Sequence, residues 1–144
     1  APRGGWCNIL LNHTALEHRL LFWQIYAEEI PSGYLFWHAT YWDRTEDPWT
    51  DQATVKHLDP HLWGDGSLFY PGPDGPVGSI RLELMRAGLQ DYELLKLAES
   101  KIGREGVMRH VERLTTGFGF GNHTNDEELF ERVRRDLQQI AAKP

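Results

Sequence analysis

Residues 6–40 read WCNILLNHTALEHRLLFWQIYAEEIPSGYLFWHAT, and the order of their patterns decides the fold class. Trp6–Leu11 is short, apolar and preceded by Gly4-Gly5, which is the pattern of a buried strand. Asn12 or Thr14 can cap a helix running to Ile30, with Leu16, Leu20, Trp23, Ala27 and Ile30 spaced by threes and fours along one face. Pro31-Ser32-Gly33 stops it. Glu28-Glu29 lies at the end of that helix, where the dipole disfavours anions, so a cation is expected beside them. Tyr34–Thr40 is aromatic-rich with little polar alternation, as in a strand covered on both faces. Strand, helix, strand at this spacing is one βαβ unit, so the fold class is α/β.

Beyond Thr40 the period is lost. Residues 41–78 carry Gly64, Gly66, Gly72, Gly75 and Gly78 with Pro60, Pro71, Pro73 and Pro76, forming a long loop with a short β-hairpin. Loops of this length are usually functional or disordered, and Trp42, Trp49, Trp63, Phe69 and Tyr70 argue for order. From Ser79 the chain is helical. Ile80, Leu84, Leu89, Tyr92, Leu95 and Ile102 are expected on one side of a first helix, and Gly88 within it implies a close contact or a kink. A shorter helix is expected over 104–114 and a last one over 126–142. A capping box of Asn125 with Glu128, or Thr124 with Glu127, would begin the last helix.

Composition narrows the function. The chain has 144 residues, 40% hydrophobic and 25% charged, which suits one soluble domain and is too short for a closed (β/α)₈ barrel of about 250 residues. A net charge of −6 lacks the basic footprint of a nucleic-acid binder. No apolar run is long enough for a membrane span, and no basic-then-apolar leader is visible. Cys7 is alone, which excludes an internal disulfide and a thiolate zinc site. His57 and His61 are four apart, but Pro60 between them prevents a shared helical face, so no metal or other cofactor is expected. The glycine-rich segment has no Gly-Lys-Ser/Thr ending, which excludes a phosphate-binding loop. The aromatics are uneven. Twelve of them fall between Phe22 and Tyr70, within an acidic first half.

Two features are candidates for chemistry. Carboxylates could serve sugar hydrolysis, but Asp126-Glu127-Glu128 suits the start of a helix, leaving Asp43, Glu46, Asp47 and Asp51 on the aromatic loop. The aromatics Trp37, Tyr41, Trp42 and Trp49 follow a strand end. They can wall a concave ligand site, or pack a core beneath the loop.

The run GYLFWHATYW, followed by DPW and then GDGSLFYPGPDGPVGSIRLELMRAGLQDYELL, resembles the C-terminal region of the catalytic domain of glycoside hydrolase family 123. Ala87 departs from the Asp often found there. The resemblance covers residues 8–100 and implies a fragment of a (β/α)₈ barrel. Trp6–Leu11 and Tyr34–Thr40 would be its last two strands. Residues 1–103 would then form the barrel segment and 104–144 a helical C-terminal extension. The resemblance implies a β-N-acetylgalactosaminidase-like activity, in which the sugar's acetamido oxygen attacks the anomeric carbon. An Asp would orient that group and an adjacent Glu would be the acid. That pair belongs to an earlier strand, upstream of Ala1, so the chain is expected to be inactive alone. Trp37 and Trp49, with Tyr41, Trp42 and Asp43, are the expected substrate-binding residues. The expected partners are a carbohydrate and either the remainder of a parent protein or a second copy. Two other readings compete: a non-catalytic carbohydrate-binding module and a purely structural domain.

Overall fold

A computed structural model of the chain describes residues 6–31, 33, 38–41, 45–51, 62–118 and 121–144. Among them the elements run α1 (Ala15–Ala27), β1 (Phe69–Gly72), β2 (Gly75–Gly78), α2 (Ile80–Val111) and α3 (Glu127–Ala141). Thr14, rather than Asn12, caps α1. Its hydroxyl accepts from the Glu17 amide at 3.2 Å, and the Glu17 carboxylate accepts from the Thr14 amide at 2.7 Å. The helix ends at Ala27, short of the expected Ile30, because Glu29 turns to a φ of 51° and the Ile30 amide returns to the Ile25 carbonyl. Arg104 holds this end, donating to the Tyr26 and Ala27 carbonyls and pairing with Glu29 at 3.2 Å. That is the cation expected beside Glu28-Glu29.

α1 is buried almost all round, from Leu20 through Tyr26 without a break, and not only on the expected stripe. α2 and α3 wrap it, and one hydrophobic cluster joins Cys7 and Ile9 to α1, to Leu95 and Val107 of α2, and to Phe130 and Leu137 of α3. Trp23 meets Phe130 with ring centroids 5.3 Å apart.

The hairpin expected in the glycine-rich loop is present. β1 and β2 pair antiparallel, Phe69 opposite Gly78 and Gly72 opposite Gly75, around a Pro73-Asp74 turn. The Ser79 amide then bonds the Leu68 carbonyl at 2.9 Å, so the hairpin leads directly into α2. Inside α2, Gly103 has φ 70° and ψ 164°, which breaks it into the two helices that the sequence predicts.

The buried face of α2 differs from the predicted one. Ile80 is 72% exposed and Leu89 54% exposed, whereas Arg81, Gly88, Asp91, Leu95 and Ala98 are buried. The period is helical, but two of the inward residues carry charge and meet partners from other segments of the chain. Gly88 is where α2 crosses α1, and a Cβ there would overlap the Phe22 ring. The expected close contact is therefore real.

α3 begins at Asp126, whose own carboxylate accepts from the Leu129 amide at 2.9 Å, in place of either expected capping box. Trp6–Leu11 belongs to no strand among the described residues. Its backbone is met by a side chain and a loop: Arg81 bonds the Ile9 carbonyl at 2.8 Å and the Leu11 amide bonds the Trp63 carbonyl at 2.9 Å. Of the second expected strand, Tyr34–Trp37 lie outside the described residues, and Thr40 forms an antiparallel bridge to Ser67. Among the described residues, the architecture is a mixture of three helices with one small two-stranded sheet.

Candidate functional site

The aromatic loop is assembled around Arg81. This side chain is only 1% exposed and reaches four acceptors: the carbonyls of Ile9, Gly64 and Ser67, and the Tyr70 hydroxyl at 3.1 Å. Burial pushes its pKa downward, and the Tyr70 and Asp65 side chains oppose that shift. A planar guanidinium suits the task, because its donors diverge in a fixed fork. One residue thus ties the 6–11 segment, the 64–67 turn and the hairpin to the first turn of α2.

Above it sits Trp49. Its ring lies 4.8 Å from that of Tyr70, and its Nε1–H donates to the Pro71 carbonyl at 3.0 Å. Trp49 nevertheless remains 53% exposed. Asp47 shapes the turn that delivers it: one carboxylate oxygen accepts from the Trp49 amide at 2.9 Å and the other from the Thr50 hydroxyl at 2.8 Å. Asp47 is therefore engaged in loop geometry.

Tyr41 is half-buried. Its ring stacks on His38 at 4.8 Å, and its amide bonds the Gly66 carbonyl at 2.8 Å. Gly66 has a φ of 73°, and a Cβ there would come within 2.8 Å of the Tyr41 Cβ, so only glycine suits this approach. Trp37, Trp42 and Asp43 lie outside the described residues, as do His57 and His61.

Arg81 was not among the expected site residues. The visible signal was a cation in the first turn of α2, where the dipole disfavours it, within the strongly patterned run GSIRLELMRAG.

A second polar group lies at the start of α1. Glu17 contacts His13 Nδ1 at 3.0 Å and His123 Nε2 at 3.3 Å. Burial would raise its pKa, but the Thr14 amide and His13 together hold it below the ordinary carboxylate value. Burial, with Glu17 nearby, pushes the Cys7 thiol up to about 12, so Cys7 is a poor nucleophile. Among the described residues no group of three or more His, Cys, Asp or Glu could hold a metal ion. None of their helices is long and apolar enough to cross a membrane.

Residues 2–98 match the family model of the glycoside hydrolase 123 catalytic domain. The chain belongs to that family. None of the curated proteins matches it. The glycoside hydrolase 123 match takes in the Arg81 anchor, the hairpin and Trp49, and it ends five residues before the Gly103 break in α2.

Proposed function

We propose that the chain forms the last part of a catalytic barrel acting on N-acetylhexosaminides, and that Trp49 and Tyr41, with Trp37, Trp42 and Asp43, wall its sugar site. One observation carries this reading. The ends of both expected strands, Leu11 and Thr40–Tyr41, hydrogen-bond to the same stretch of loop, at Trp63 and at Gly66–Ser67, and that loop continues into the hairpin under Trp49. In a (β/α)₈ barrel the active site lies at the C-terminal ends of the strands, which is where this loop and its aromatics would converge.

The chemistry is substrate-assisted retention. The acetamido oxygen attacks the anomeric carbon, a carboxylate orients the amide, and a carboxylic acid protonates the leaving oxygen. The only Asp-Glu dipeptide in this chain is Asp126-Glu127, and Asp126 caps α3. Asp47 is committed to its turn. The chain therefore supplies walls for the sugar, and the acid pair comes from elsewhere in the catalytic domain.

The test combines turnover and binding. The purified chain is expected to leave a chromogenic aryl β-N-acetylgalactosaminide intact. Turnover that disappears when Asp43 and Asp47 are both changed to Asn would overturn the reading. Methyl β-N-acetylgalactosaminide should shift the Trp49 indole resonance. Trp49→Ala should weaken binding of that sugar, measured by calorimetry, at a stability cost well below the about 3–5 kcal/mol typical of a core Trp.

A further inference from the structure

We propose that Tyr70 is the positioning residue for Trp49: seated by Arg81, its ring fixes the plane of an indole whose outer face receives the apolar face of a pyranose ring. The inference rests on the reading of Trp49 as a sugar wall and adds how that wall is held.

Three contacts define the arrangement. The Tyr70 hydroxyl accepts from Arg81 at 3.1 Å, so one end of its ring is tied to a buried cation that also grips the Ile9, Gly64 and Ser67 backbone. The Tyr70 ring lies against that of Trp49 at 4.8 Å with 33° between their planes, a tilted aromatic pair. The edge of the indole is held by the Pro71 carbonyl, which occupies its N–H donor. With the Tyr70 ring against it and its edge engaged, Trp49 has little freedom to rotate, and yet it is 53% exposed.

Chemistry follows from that geometry. A ring whose donor is used cannot recognise a hydroxyl through its N–H. It can offer its electron-rich face, which attracts the weakly positive C–H bonds of a sugar. A face already held in place loses little side-chain freedom when ligand arrives, so more of the contact energy appears as affinity. Tyr70 itself is buried and touches the ligand only through Trp49.

The indole N–H resonance of Trp49, assigned by its loss in Trp49→Phe, reports the arrangement directly. In the unaltered protein it should be protected from solvent exchange. Tyr70→Leu, which keeps an apolar side chain and removes the ring, should speed that exchange roughly tenfold. The same change should weaken methyl β-N-acetylgalactosaminide binding about fivefold. Tyr70→Phe keeps the ring but loses its tie to Arg81, and should fall between the parent and Tyr70→Leu in both. An indole N–H that exchanges freely in the unaltered protein overturns the proposal, as does Tyr70→Leu that folds and leaves exchange unchanged. If Tyr70→Leu does not fold, an indole N–H that is protected in the unaltered protein and exchanges faster in Tyr70→Phe supports the proposal, and exchange unchanged in Tyr70→Phe overturns it. Trp49→Phe with undiminished sugar affinity instead refutes the sugar-wall reading, and leaves the positioning of Trp49 by Tyr70 standing.

Discussion

Replacing Arg81 by methionine keeps the apolar stem and removes the guanidinium from the centre of the loop. Three backbone carbonyls, of Ile9, Gly64 and Ser67, and the Tyr70 hydroxyl then lose their donor. Each buried acceptor left unpaired costs about 1–3 kcal/mol. Two effects offset this. The buried cation's own desolvation cost disappears, and the loop can relax to admit water. The net loss should therefore be about 3–5 kcal/mol, a large share of the about 5–15 kcal/mol that holds an ordinary domain together. Urea unfolding followed by far-ultraviolet circular dichroism measures the loss. Native-state hydrogen exchange locates it: the Leu11, Ser67 and Leu68 amides, which bond Trp63, Gly64 and Ala39, should lose protection before those of α1. Arg81→Lys should recover only part, since an ammonium is a compact point charge without the planar fork. A folded Arg81→Met protein within 1 kcal/mol of the parent, with those amides still protected, would refute the assignment of Arg81 as the loop anchor.

Gly88→Ala should destabilise the protein by about 1–3 kcal/mol despite alanine's better helix propensity, because the new methyl meets the Phe22 ring; a stabilised variant in thermal unfolding would contradict this. Asp91→Asn should cost about 2–4 kcal/mol, since Asp91 is fully buried and pairs with Arg19 at 2.8 Å and Arg134 at 2.7 Å, whose partial exposure moderates the loss; denaturant unfolding checks it. Glu17→Gln removes a carboxylate whose pKa is lowered in the folded protein, so the parent's advantage should be about 1 kcal/mol at neutral pH. That advantage is present above the ordinary carboxylate range and lost as pH falls through the lower folded value. A stability gap unchanged in acid would count against the assignment.

Features set within a few neighbouring residues are legible in the sequence. Thr14 and Glu17 are three apart, and their capping box needs nothing beyond that turn of chain. The Pro73-Asp74 hairpin and the break at Gly103 are likewise local. Gly88 announces a close contact without naming Phe22 as the other side. For the site, the sequence points to aromatics after residue 36. Among the described residues, Trp49 holds its indole N–H on the Pro71 carbonyl and is 53% exposed, while Tyr41 packs on His38.

What faces inward on α2 is set by tertiary contacts. Apolar periodicity assigns burial by side-chain type, so it places Ile80 and Leu89 inside and passes over Arg81 and Asp91. A charge can be buried only where matching partners surround it. Those partners are Ile9 and Gly64 for Arg81, and Arg19 and Arg134 for Asp91, brought together from distant parts of the chain. The helices, most of their ends and breaks, and the family follow from the sequence, because they depend on near neighbours and on an ordered run of motifs. Which charges form the interior, and how one of them holds the aromatic loop, depends on contacts that exist only once the chain has folded.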